Sequence, residues 1–92
     1  MDDNSQQTEM MRKRLLWRAM HRGIKEMDLI VGGFAQARLS DMADAELAEF
    51  EKLLELPDQD LLAWVTLQEV VPVDLRSDLL LQVISFRPDI NL

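Results

Sequence analysis

Apolar side chains in this chain return every three to four residues almost from end to end, and nowhere do they alternate with polar ones over a useful length. That period matches the turn of an α-helix and not the two-residue pleat of a strand. Tyr, a favoured strand residue, is absent. The chain is therefore expected to be all-α. Its 92 residues include no Cys, so side-chain packing alone must hold the core. Disulfides, thiolate metal sites and iron–sulfur ligation are excluded. A domain of this size buries about 60–65% of the surface its unfolded chain exposes, and an apolar content of 48% can fill such a core.

Breaks in the rhythm divide the pattern into five helices. Helix one is expected to start near Thr8 or Glu9, with Thr8 as N-cap, and to run to Met20. Met11, Leu15, Leu16 and Met20 form its stripe, and Trp17 lies off it. Helix two is expected over 24–38, where Met27, Ile30, Val31 and Phe34 give the i, i+3, i+4, i+7 face. Gly32-Gly33 inside it signals either a tight helix–helix contact or a weak point. Helix three is expected over 44–56, with Leu47, Phe50, Leu53 and Leu54 inward, and Pro57 closes it. Asp58 is then a cap for a short helix four over 59–67, carrying Leu61, Leu62, Trp64 and Val65, with Trp64 packed against helix five. "VVPVD" reads as an extended link, and Asp74 as the cap of helix five, with Leu75, Leu79, Val83 and Phe86 on its buried face. The expected architecture is a compact five-helix bundle of short, mostly antiparallel helices. One domain occupies 9–87, with a disordered N-terminal tail over 1–8 and a C-terminal tail over 88–92.

Charge is distributed unevenly. Residues 1–38 hold seven Lys/Arg against five Asp/Glu, and residues 39–92 hold three against twelve, within a net charge of −7. An acidic body argues against general affinity for nucleic acid or anionic membranes. A local basic stretch over 12–25 (Arg12, Lys13, Arg14, Arg18, Arg22 and Lys25) keeps a small helical nucleic-acid-binding or regulatory protein as the alternative reading. The apolar runs fall far short of the ~20 residues a membrane span needs, so no direct membrane insertion is expected. The N-terminus "MDDNSQQTEM" is polar and acidic, unlike a secretory signal or an Arg-rich transit peptide, and a soluble intracellular protein is expected.

Enzyme signatures are missing. Gly23, Gly32 and Gly33 do not fit a phosphate loop or a dinucleotide fingerprint, and the single His21 leaves no nucleophile–base set. Glu46/Glu49 and Asp58/Asp60 read as solvated faces and caps. No catalytic residue, metal ligand or stable cofactor site is assigned.

The stretch "RGIKEMD", residues 22–28, remains. A glycine inside a helical stretch costs roughly 1 kcal/mol against alanine. In one reading Gly23 is the turn between helices one and two, with Arg22 and Glu26 as a weak intrahelical ion pair. In the other, Gly23 offers a surface without a Cβ where a partner's backbone can come close, flanked by Arg22, Lys25, Glu26 and Asp28. Spacing leaves both open. Trp17, beside Arg18 and Arg22, is either core or an interface anchor.

"RLLWRAMHRGIKEMDLIVGGFA", followed by "ELAEFEKLLELPDQDLLAWV", closely resembles the succinate dehydrogenase assembly factors that promote flavinylation. Arg22, Gly23, Glu26 and Asp28 match that family's Arg-Gly-x-x-Glu signature and the Asp that follows it. "LLELPDQDLLAW" matches its second block, a Pro-Asp turn leading into a short helix ending in Trp. The resemblance covers roughly residues 12–67; His21 departs from it, where Arg is common. It implies a five-helix protein, bacterial cytoplasmic or mitochondrial, and a bacterial cytoplasmic location is expected here. The implied partner is the flavoprotein subunit of succinate dehydrogenase, in some bacteria also that of fumarate reductase. The implied role is to assist covalent attachment of FAD to that subunit, without catalysis by the factor itself. Arg22, Gly23, Glu26, Asp28, Lys25, Arg18 and Trp17 are the expected partner-binding residues. Replacing Gly23 by Arg is expected to abolish binding while leaving the fold intact.

Overall fold

The computed structural model describes residues 3–88. Five α-helices follow one another: α1 Asp3–Met20, α2 Lys25–Arg38, α3 Asp44–Leu53, α4 Asp58–Val65 and α5 Asp78–Ser85. Single 3₁₀ turns over Leu39–Asp41 and Val73–Leu75 precede α3 and α5. No strand occurs among the described residues, so the all-α bundle read from the periodicity is the architecture found.

Most of each expected stripe turns inward; Met20 and Leu75 do not, being 37% and 42% exposed, and Leu75 falls in the 3₁₀ turn before α5. Leu15 and Ala19 of α1, Met27, Val31 and Phe34 of α2, and Leu47, Phe50, Leu53 and Leu54 of the α3 region are buried. Leu61 and Trp64 of α4 and Leu79, Leu80 and Val83 of α5 complete the core. Phe34 is at its centre, with the Phe50 ring 6.0 Å away and the Phe86 ring edge-on at 5.9 Å. Such offset and edge-to-face pairs add to what burial alone contributes. Gly32 is buried at the α1–α2 crossing. A Cβ there would lie 3.0 Å from Met20 Cγ and 3.1 Å from Met20 Cα, with no space to accept it. Of the two readings of Gly32, close helix contact is the one realised.

Several boundaries differ from the expectation: α2 starts at Lys25 and not 24, α4 ends at Val65 and not 67, and four more differ for a local reason. α1 begins at Asp3 and not at Thr8, so the disordered tail expected over 1–8 is corrected for residues 3–8; residues 1 and 2 lie outside the described residues. Gln6, Gln7 and Glu9 are good helix formers, and the Thr8 hydroxyl reaches Asp44 at 3.3 Å and caps no helix. α3 stops at Leu53, not 56, because the Glu55 and Leu56 N–H groups bond i−3 carbonyls and tighten the chain ahead of Pro57. Asp58 is the first residue of α4 and not its cap; Pro57 holds the cap position with an extended backbone. Ser77, not Asp74, caps α5: its hydroxyl accepts the Leu80 N–H at 3.1 Å. Asp74 falls in the preceding 3₁₀ turn. Of the tail expected over 88–92, residues 89–92 lie outside the described residues.

Candidate functional site

Helices α1 and α2 are joined by the four residues 21–24, too few to reverse the chain without a special backbone. Gly23 supplies it, with φ of +110°, a conformation that L side chains rarely adopt. The turn is then pinned from the α2 side. One carboxylate oxygen of Asp28 accepts the backbone N–H of Arg22 and that of Gly23, the second at 3.3 Å. Asp28 also lies in the first turn of α2, where a negative charge suits the helix dipole.

The Arg22 side chain points the other way, into the bundle, and is only 9% exposed. Its Nε donates to Asp58 Oδ1 at 2.7 Å, while Nη1 and Nη2 donate to the Leu54 and Leu56 carbonyls, both at 2.6 Å. Those carbonyls belong to the last turn around the end of α3, where helical partners run out. Asp58 opens α4 and is itself 15% exposed on its side chain. Arg22 therefore ties three things together: the α1–α2 turn, the end of α3 and the start of α4. A planar guanidinium with several fixed donors can do this; an ammonium cannot. The ion pair between Arg22 and Glu26 weighed from spacing does not form.

What the clamp leaves outside is the exposed part of the motif. Gly23, Lys25 and Glu26 are exposed, and among the described residues the Lys25 and Glu26 side chains have no hydrogen bond or ion pair. A Cβ at Gly23 would meet only Asp58 Oδ2, at 3.8 Å, so the surface above the turn is open. Beside it, Trp17 is 62% exposed and stacks on His21, with ring centroids 4.1 Å apart and planes 16° from parallel. His21 Nδ1 donates to the Trp17 carbonyl at 2.7 Å. Arg18 pairs with Glu55 at 2.7 Å across the α1–α3 boundary. Among the described residues, no group of three His, Asp or Glu side chains is placed to hold a metal ion, and no helix is long and apolar enough to cross a membrane.

The seven expected partner-binding residues thus separate. Gly23, Lys25, Glu26 and Trp17 are exposed, and Trp17 stacks on His21 of the turn. Arg22 and Asp28 serve the turn itself, and Arg18 is engaged with Glu55. Two participants were not read from the sequence. Asp58 passed as a helix cap because aspartate before a helix usually is one; its signal was that it stands in the second motif block while an unpaired Arg stands in the first. His21 was weighed only as a single histidine with no nucleophile to activate, although its i, i+4 spacing from Trp17 permits the stack.

A family model described as "Flavinator of succinate dehydrogenase" matches residues 13–87. The succinate dehydrogenase assembly factor 2, mitochondrial, of Yarrowia lipolytica is 43% identical over 63 residues, which is 68% of this chain and 43% of that protein. The FAD assembly factor SdhE of Acetobacter pasteurianus is 44% identical over 54 residues, 59% of this chain and 50% of that protein. A mitochondrial succinate dehydrogenase assembly factor 2 of Dictyostelium discoideum is 32% identical over 72 residues, 78% of this chain and 51% of that protein. The chain spans about half the length, or less, of these curated relatives. The expected bacterial cytoplasmic location is corrected by the same relatives. One is bacterial, but the similarity runs mostly to factors named as mitochondrial, in eukaryotes. The two motif blocks, held against each other by Arg22 and Asp58, both fall inside the matched span, and the chain belongs to the family of flavinators of succinate dehydrogenase.

Proposed function

We propose that this chain is a non-catalytic assembly factor that docks on the flavoprotein subunit of succinate dehydrogenase and promotes covalent attachment of FAD to it. The observation that carries this reading is the division of labour within residues 22–28. Arg22 and Asp28 fix the turn from inside, and Gly23, Lys25 and Glu26 are held outside without partners of their own. A bare backbone flanked by one cation and one anion lets a partner surface approach closely and sets its register. Trp17, presented beside the turn and braced by His21, is the aromatic anchor of such a surface. The bond to the flavin is chemistry of the cofactor and the flavoprotein. The factor contributes by binding the competent arrangement of that subunit more tightly than the others. The fumarate reductase flavoprotein is a second client for the same edge.

The competing use of residues 12–25, as a basic grip on nucleic acid, loses half of its cations to internal contacts. Arg12 donates to the Leu39 and Met42 carbonyls, Arg18 pairs with Glu55, and Arg22 with Asp58. A gel shift with duplex DNA at low salt checks this, and no retardation is expected.

The decisive experiment is co-expression of the flavoprotein subunit with this chain, with covalent flavin read by in-gel fluorescence. Glu26→Ala should reduce the signal strongly while thermal melting stays within about 2 °C of the parent, as for a surface substitution. Full flavin incorporation by Glu26→Ala overturns the assignment of this edge. Gly23→Arg is no longer the clean test expected from the sequence, because φ of +110° strains any side chain placed there. The chain itself is not proposed to store FAD. Flavin titration of the isolated protein should give no micromolar binding, and such binding would revise the reading.

A further inference from the structure

A small open cleft of about 280 Å³ lies where α1 runs into the Gly23 turn, lined by Trp17, Arg18, His21, Arg22 and Leu54. No carboxylate lines it; Arg18 and Arg22 are its charged residues, and both are cations. The two differ in the donors they have left. Arg22 commits Nε, Nη1 and Nη2 to Asp58 and to the Leu54 and Leu56 carbonyls. Arg18 uses Nη2 alone, on one oxygen of Glu55 at 2.7 Å. Among the described residues its Nε and Nη1 have no acceptor, and neither has the indole N–H of Trp17. His21 covers one face of that indole, which steadies the wall of the cleft.

Glu55 is a loosely held partner for Arg18. Its side chain is 71% exposed, against 36% for Arg18, and a pair so open to water is worth little. It follows the end of α3 at Leu53, and among the described residues its carboxylate makes no other hydrogen bond.

We propose, on the docking reading given above, that this cleft receives an acidic side chain of the flavoprotein subunit, which takes Arg18 over from Glu55. A carboxylate binds a guanidinium most strongly through two parallel N–H groups. In arginine those forks are Nε with Nη2 and Nη1 with Nη2, so either one displaces Glu55 from Nη2. The exchange is favourable because the single bond to Glu55 is exposed to water, whereas a forked bond covered by the partner acts at lower dielectric. The size of the cleft fits one side chain and falls below the ~300–1,000 Å³ of small-molecule sites. In the free protein Glu55 then occupies the place that the partner's acid takes, and it sets a preference for partners that present one.

The test uses the full chain and the purified flavoprotein subunit, with affinity read by biolayer interferometry. Glu55→Gln leaves Arg18 without its internal competitor and should tighten binding by about three- to tenfold. Arg18→Gln should weaken it by about tenfold, and adding Glu55→Gln to that variant should change nothing further. Both are surface changes, so melting should stay within about 2 °C of the parent. Unchanged or weaker binding by Glu55→Gln overturns the proposal, as does unchanged affinity of Arg18→Gln. If Glu26→Ala still weakens binding in those cases, the docking reading survives and only the role of the cleft is lost. A parent chain that does not bind the flavoprotein ends both. Excess pyrophosphate that releases the parent but not Arg18→Gln would assign the cleft to a phosphate and also overturn the proposal.

Discussion

The α1–α2 turn, residues 21–24, and the longer α4–α5 link, residues 66–77, each contain one residue at positive φ, and they are built on opposite terms. In the first, the residue is glycine, and five hydrogen bonds from Arg22 and Gly23 tie the turn to Asp28, Asp58 and the end of α3. In the second, the residue is leucine, and the side chain that follows from that choice is left in solvent. One connection is over-determined by the rest of the fold; the other tolerates a locally unfavourable residue. The contrast teaches that a motif rich in charge can be mostly structural, while a segment without any motif carries the surface the fold does not need.

The sharpest way to break this comparison is at Arg22. Arg22→Ala leaves Asp58 without its partner and two carbonyls at the end of α3 unsatisfied. It should cost about 3–5 kcal/mol, the range for breaking a buried pair from one side. Urea unfolding followed by circular dichroism measures it, and a loss under about 1 kcal/mol would place the clamp among ordinary surface pairs. Arg22→Lys keeps the charge without the fork and should still lose a large part of that stability.

A smaller effect is expected at the other glycine that packing requires. Gly32→Ala pushes a Cβ against Met20 Cα, so α1 and α2 must separate or shift, at a cost of about 1–3 kcal/mol. Thermal melting reports it. Since α1 carries Trp17, this variant should also weaken docking, although no docking residue is replaced.

Leu67→Gly should act in the opposite direction and stabilise the chain by about 0.5–1 kcal/mol, since glycine relieves the left-handed strain. A rise in melting temperature would sharpen the contrast between the two connections. A fall would mean that Leu67 supports the fold. Smallest of all, Lys25→Ala should move stability by no more than about 0.5 kcal/mol. Its effect is expected in flavinylation alone, read by the same in-gel fluorescence as Glu26→Ala.

Helix number, order and buried faces were legible because apolar side chains at 3.6-residue spacing leave few alternatives: Leu47, Phe50, Leu53 and Leu54 are all buried as their spacing demanded. Boundaries were less so. Asp58 and Asp74 both look like caps, and whether an aspartate caps a helix depends on what else competes for its carboxylate. The site was half legible. The sequence by itself determined that the chain is a small Cys-free helical domain, because that follows from composition and periodicity; spacing left Gly23 open between a turn and a contact surface, and the resemblance singled out residues 22–28. Only the tertiary structure decided which charges of the motif remain available. Arg22 meets Asp58 across 36 positions of chain, and no local rule pairs residues that far apart. Burial drew Arg22 inward, since a guanidinium surrounded by a carboxylate and two carbonyls is compensated there. Glu26, one helical turn away on the outer face, had no such partner and stayed in water.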